Sequence, residues 1–196
     1  MKSKFFVLLL LYSAMAMAQS KLSIEAKYPV PVGNNFIGEN YKGIAGLGIK
    51  YSIKNLPLVD LGISVDASLL NLKKEGAYFP EFDEYLSFKT RLFIIQPRIF
   101  AAFKLKNITR LHPEAALGYS FFMANATFDS ASGIPDQSSS QSGVNLNIGL
   151  AFDVTNRFYL RAGYDFVKIT QLDNDAPDTS YNTNIGTVEF GLGIRL

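Results

Sequence analysis

Hydrophobic and polar residues alternate along most of the chain with a period of two. Near its end, Val188, Phe190, Leu192, Ile194 and Leu196 alternate with Thr187, Glu189, Gly191, Gly193 and Arg195, which gives a strand one apolar face and one face of small or charged residues. The same rhythm predicts seven more strands, at about residues 22–30, 43–54, 59–67, 91–105, 110–122, 144–153 and 158–166. In the second, Ala45, Leu47, Ile49, Tyr51 and Ile53 oppose Gly46, Gly48, Lys50 and Ser52. In the third, Leu61, Ile63, Val65 and Ala67 oppose Asp60, Gly62, Ser64 and Asp66. The fourth is the least regular. Ile94 and Ile95 are adjacent, and Pro97 has no N–H to give to a ladder, so a local bulge is expected there.

The connections alternate too. Strands two and three, four and five, and six and seven are joined by a few residues each, whereas residues 31–42, 71–90, 125–142 and 168–184 form long loops. Short turns at one end and long loops at the other, with both termini at the short-turn end, are the layout of a transmembrane barrel. An even number of strands lets the first meet the last and leaves no edge. The expected fold is all-β, an eight-stranded antiparallel up-and-down transmembrane β-barrel.

Alternation alone does not say which face points inward, but composition does. The less apolar face holds Gly46, Gly48, Gly62, Gly118, Gly149, Gly163, Gly191 and Gly193, and small residues suit the crowded inside of an eight-stranded barrel. A soluble, lipocalin-like barrel would turn that face to water and would make it dense in Lys, Glu, Thr and Gln. The charges on it are nearly balanced. Glu25, Lys50, Asp66, Arg98, Glu114, Arg161 and Glu189 are the expected lumen network, because an unpaired charge removed from water is costly. A filled polar lumen follows. A narrow channel for small or apolar solutes is the alternative, although charge-selective pores carry an excess of one sign. On the opposite face, aromatic residues such as Tyr28, Phe93, Tyr119 and Tyr164 near the long loops, and Tyr51, Phe103 and Phe158 near the short turns, suggest two interfacial girdles.

Residues 1–18 read as a secretory signal peptide: Lys2 and Lys4, an apolar run from Phe5 to Tyr12, then Ala16, Met17 and Ala18. The run is too short to span a bilayer. Residues 19–196 would then be the barrel domain. Loss of Lys2 and Lys4 leaves 17 basic residues against 17 acidic ones, so the net charge offers no reason to expect a nucleic-acid partner. The chain has no cysteine, which excludes disulfides, thiol catalysis and zinc–cysteine sites.

Two stretches carry a resemblance. A chain that stops on the last apolar residue of an alternating strand, here Leu196, resembles the C-terminal assembly signal of bacterial outer-membrane barrels, where an aromatic is usual. The run from Leu22 through Tyr28 and Pro29 to Phe36, Ile37, Gly38, Glu39 and Asn40, followed by Gly46 to Tyr51, resembles the opening of outer-membrane barrel domains. From Lys21 to Leu196 the chain is similar to the small outer-membrane β-barrel proteins of Gram-negative bacteria, which include the barrel domain of outer-membrane protein A and outer-membrane protein X. The resemblance implies a porin-like integral protein of the cell envelope, in contact with outer-membrane lipid and handled by the barrel-assembly machinery. The roles it implies are adhesion, surface binding, envelope stability, small-solute passage and, in a few cases, lipid chemistry.

Candidate chemistry is sparse. A lipid-modifying enzyme would need a base near the long loops, and the sole histidine, His112, falls near a short turn. No catalytic residue, metal site or cofactor is therefore expected. Asp173, Asp175 and Asp178 lack the glycine and closing glutamate of a calcium loop. In the second long loop Tyr78, Phe79, Phe82 and Tyr85 lie among charges, and exposed aromatics of this kind suit a partner or glycan. The functional expectation is a structural or adhesion-like surface-binding role through four long extracellular loops, with no enzymatic activity.

Overall fold

The computed structural model describes residues 21–79, 84–128, 135–172 and 177–196. The expected signal peptide lies outside them. Eight strands run in chain order: β1 (Leu22–Val32), β2 (Lys42–Asn55), β3 (Val59–Phe79), β4 (Glu84–Phe103), β5 (Leu111–Phe128), β6 (Gln137–Asp153), β7 (Phe158–Gln171) and β8 (Asn184–Arg195). Each pairs antiparallel with its neighbours, and β1 pairs with β8 from Ser23↔Arg195 to Val32↔Gly186, closing the barrel. The Leu196 N–H adds a bond to the Leu22 carbonyl at 2.9 Å. Single-turn helices α1 (Phe36–Asn40) and α2 (Ser180–Thr183) interrupt the first and last long connections.

Side chains follow the pleat. Leu47, Ile49, Ile63, Val65, Ile99, Leu117, Ile148 and Leu192 are turned outward and exposed, whereas Glu25, Lys50, Asp66, Arg98 and Glu189 are turned inward and buried. The faces are those of a membrane barrel, and the soluble lipocalin-like alternative, which needs an apolar interior, is excluded. An outward apolar belt around the whole wall far exceeds the patches that soluble monomers tolerate.

Two expectations are corrected. There is no bulge at Pro97. The β3–β4 register runs unbroken through Val65↔Pro97, while on the β5 side the ladder lapses between Ile95↔Phe121 and Arg98↔Gly118 and resumes in the same register. Proline thus removes pairing without inserting a residue. The actual register shifts lie at Gly43/Ala45, Ser52/Lys54, Lys74/Ala77 and Ser142/Gly143. Second, much of the expected loop at residues 71–90 and 125–142 is strand. Tyr78 and Tyr85 are opposed residues of the β3–β4 ladder, and Phe79 opposes Glu84. Only Phe82 of the four candidate aromatics lies outside the described residues.

Candidate functional site

The interior is built in two layers. Toward the short turns, the Lys50 ammonium lies 2.8 Å from Glu25 and 2.7 Å from Glu114. Arg161 donates its Nε to Glu114 at 2.8 Å and faces Glu189 at 3.5 Å. Lys27 joins Glu189, at 3.2 Å, to Asp66. Arg98 then donates to Asp66 at 2.8 Å, to Asp165 at 2.6 Å and to the Asn145 carbonyl oxygen at 3.0 Å. Amides and hydroxyls extend the set: Asn147 donates to Asp165 at 2.8 Å, Asn145 and Gln96 to Ser120 at 2.9 Å, and the Tyr159 hydroxyl to Glu25 at 2.7 Å. The structure therefore places Glu25, Lys50, Asp66, Arg98, Glu114, Arg161 and Glu189 in a single connected network, with Lys27 and Asp165 as further members.

Glycine makes room for these long side chains. A Cβ on Gly149 would lie 2.7 Å from Arg161 Nη2, and one on Gly163 3.0 Å from Arg161 Nη1. A side chain at either position would push the guanidinium from its present place. At the short-turn rim a second, half-buried cluster joins Asp153 to His112 at 2.9 Å and to Arg195 at 2.7 Å, and a separate pair sets Lys104 against Asp60 at 2.5 Å. His112 is thus a hydrogen-bond partner at the far end from the long connections.

Above the ion pairs the inward side chains change character. Leu70, Leu72, Leu92, Ile94, Phe122, Val167, Ile169 and Ile185 form one buried apolar cluster, which Ile37 of α1 and Tyr41 join. Where the two layers meet, Leu70, Ile94, Phe122, Gln96, Asp165 and Glu189 line a cavity of about 10 Å³, room for about one water.

Local sequence explains how Ile37 arrives there. Gly33 adopts a left-handed φ of 93°, which reverses the chain at the end of β1. The Asn35 side chain accepts from the Gly38 N–H at 2.8 Å, capping the turn, and donates to the Val32 carbonyl at 2.9 Å. With its start fixed, α1 turns Ile37 inward. In α2, Thr183 is buried and receives the Lys168 ammonium at 2.7 Å. The Tyr181 hydroxyl donates to Glu39 at 2.8 Å, and its ring meets Phe36 edge-on at 6.4 Å. Glu39 raises the Tyr181 pKa above that of an ordinary phenol; burial raises that of Tyr41.

These elements frame a cavity of about 260 Å³ at the long-connection mouth. Phe36, Ile37, Tyr41, Leu92, Phe122 and Ala124 form its wall, and Ser139, Gln141, Pro177 and Asn182 its rim. None of these residues stood out in the sequence as a site. The available signal was local: the Asn35 cap, and adjacent apolar pairs such as Phe121–Phe122 that leave no polar face. Among the described residues, no three His, Cys, Asp or Glu side chains are grouped to hold a metal ion. Asp178 is exposed, and Asp173 and Asp175 lie outside the described residues.

Solved barrels share this architecture. Ail, the attachment invasion locus protein of Yersinia pestis, in complex with the heparin analogue sucrose octasulfate, is 18% identical with a TM-score of 0.56, over 90% of this chain and 97% of that one. Neisserial surface protein A is 19% identical with a TM-score of 0.58, over 89% and 96%. The N-terminal β-barrel domain of Pseudomonas aeruginosa OprF is 14% identical with a TM-score of 0.54, over 91% and 98%. At these identities the likeness shows the fold. No curated protein matches the chain in sequence. The family model described as outer membrane protein beta-barrel domain matches residues 5–195, and the chain belongs to that family of outer-membrane proteins.

Proposed function

We propose that this outer-membrane barrel is a closed, non-enzymatic surface protein that binds its partner at the extracellular mouth formed by the long connections. The observation that carries the reading is the two-layered interior: a paired-charge layer under an apolar layer, with a cavity of about 10 Å³ where they meet. A conduit needs a continuous polar or hydrated path, and the apolar layer interrupts it. Binding is left to the loops and the mouth. There the 260 Å³ cavity suits a small apolar group, roughly a two-ring aromatic or a chain of about ten carbons by comparison with a 150 Å³ cavity that takes benzene. Ail, a barrel of the same shape, is described with a bound heparin analogue, so the fold is compatible with a ligand-binding surface role.

The test is single-channel recording of the refolded protein in planar bilayers. A closed barrel gives no steps above the lipid baseline. Stable conductance in the wild type, lost when Leu92→Trp thickens the apolar layer, would replace this reading with the conduit.

A further inference from the structure

We propose that the outer wall of β2–β4 carries a binding site for phosphate-bearing head groups of anionic lipid in the outer leaflet. The inference goes beyond the mouth and does not depend on it. On each of these strands the first charged outward residue past the apolar belt is basic. On β4 the outward Phe93 is followed toward the long connections by Arg91 and then Lys89; on β3 Leu69 is followed by Asn71 and Lys73; on β2 Lys42 lies just beyond Ile44. All four cations are exposed.

The register brings them together. Lys42 opposes Asn71, which opposes Arg91, and Lys73 directly opposes Lys89. Directly opposed like charges destabilise a sheet, a cost that a bound anion would offset. Of the four, Lys73 is paired with Glu75; among the described residues Lys42, Lys89 and Arg91 have no ion-pair partner.

Height along the wall selects a lipid as the occupant. Successive outward residues are about 7 Å apart along a strand, or about 5 Å along the membrane normal once the tilt of roughly 40° is included. Arg91 therefore sits about 5 Å and Lys89 about 10 Å beyond Phe93. The head-group layer spans about 5–7 Å past the hydrocarbon, so long cationic side chains reach it from both rows. The site is also one-sided. At the corresponding positions β1 presents Val30 and Val32, β5 Asn125 and Thr127, and β6 serines. On β7 the one outward cation, Lys168, stands alone and donates to the Thr183 hydroxyl.

The test compares the wild type with Lys42→Gln/Lys89→Gln/Arg91→Gln and with the control Lys54→Gln/Lys106→Gln/Arg157→Gln near the short turns. Native mass spectrometry from detergent micelles would give the affinities for phosphatidylglycerol, a diphosphorylated lipid A and phosphatidylcholine. Heat-modifiable gel mobility would establish that each variant is folded. Each cation near an anionic surface is worth about fivefold, so the wall triple should lose roughly 100-fold of the preference for the phosphate-rich lipids, and the control should lose none. Arg91→Lys, which keeps the charge, should retain most of the preference. An unchanged preference in the wall triple, or equal loss in the control, overturns the proposal. So does inorganic phosphate or sucrose octasulfate that competes at the same concentration as the lipid, since either would make the site one for free anions or glycans.

Discussion

Arg98 ties the lumen together, and its removal gives the sharpest test of a filled interior. The residue is 4% exposed and donates to Asp66, Asp165 and Asn145. In Arg98→Met, Asp66 keeps Lys27, but Asp165 keeps only the Asn147 amide. Truncating one partner of a buried pair leaves an uncompensated charge and costs about 3–5 kcal/mol. Removing the stranded carboxylate as well, in Arg98→Met/Asp165→Leu, should recover at least about 1 kcal/mol, because apolar replacement of both partners is often close to neutral. Urea unfolding of protein folded into phosphatidylcholine vesicles measures both. The chain has no tryptophan, so far-UV circular dichroism is the appropriate signal. With a slope of about 2 kcal/mol per molar urea, a loss of 4 kcal/mol moves the midpoint by about 2 M. A shift of the single variant below about 0.5 M would refute the reasoning. Water would then be solvating Asp66 and Asp165, and the lumen would be a wet path.

Two other substitutions probe the wall. Leu192 is 64% exposed in the middle of the outward belt, so Leu192→Arg should cost about 2–4 kcal/mol in the same vesicle assay; a neutral result would contradict the outward assignment. A Cβ at Gly193 would lie 2.1 Å from Tyr159 Cζ, on a ring whose hydroxyl bonds Glu25 and whose centre lies 4.6 Å from the Arg195 guanidinium. Gly193→Val should cost about 1–3 kcal/mol through overpacking, read as an earlier urea midpoint, and an unchanged midpoint would show that the ring has another place to go.

Within the membrane the sequence is easy to read, because lipid on one side and a crowded lumen on the other impose opposite chemistry on successive residues. Leu47–Gly48–Ile49–Lys50 and Ile63–Ser64–Val65–Asp66 show it residue by residue. Legibility fails where that contrast disappears. Past the belt both faces meet water, so Lys73, Lys74 and Glu75, or Ser138 to Ser140, carry no alternation although they are strand. Near the mouth both faces are apolar, so Leu69–Leu70, Ile94–Ile95, Phe121–Phe122 and Phe166–Val167 read as irregularities. Ile94 beside Ile95 suggested a bulge; its cause is that Ile95 faces lipid while Ile94 belongs to the inner apolar layer. The mouth itself depends on how two single-turn helices fall onto that layer, which strand periodicity does not encode.

The order of the two inner layers constrains what the barrel can do. Ion pairs gain most where water is scarce, and here the apolar layer lies between the network and the long connections. The same layer is the floor of the mouth cavity, with Leu92 and Phe122 contributing to both. The mouth cavity thus has an apolar floor that rests on the ion-pair network. Such a floor costs little ordering entropy when a ligand lands on it, whereas a route through it would require the lumen network to open. On the function proposed above, recognition takes place at the mouth and on the outer wall, and passage through the centre would first have to break the ion pairs of the lumen.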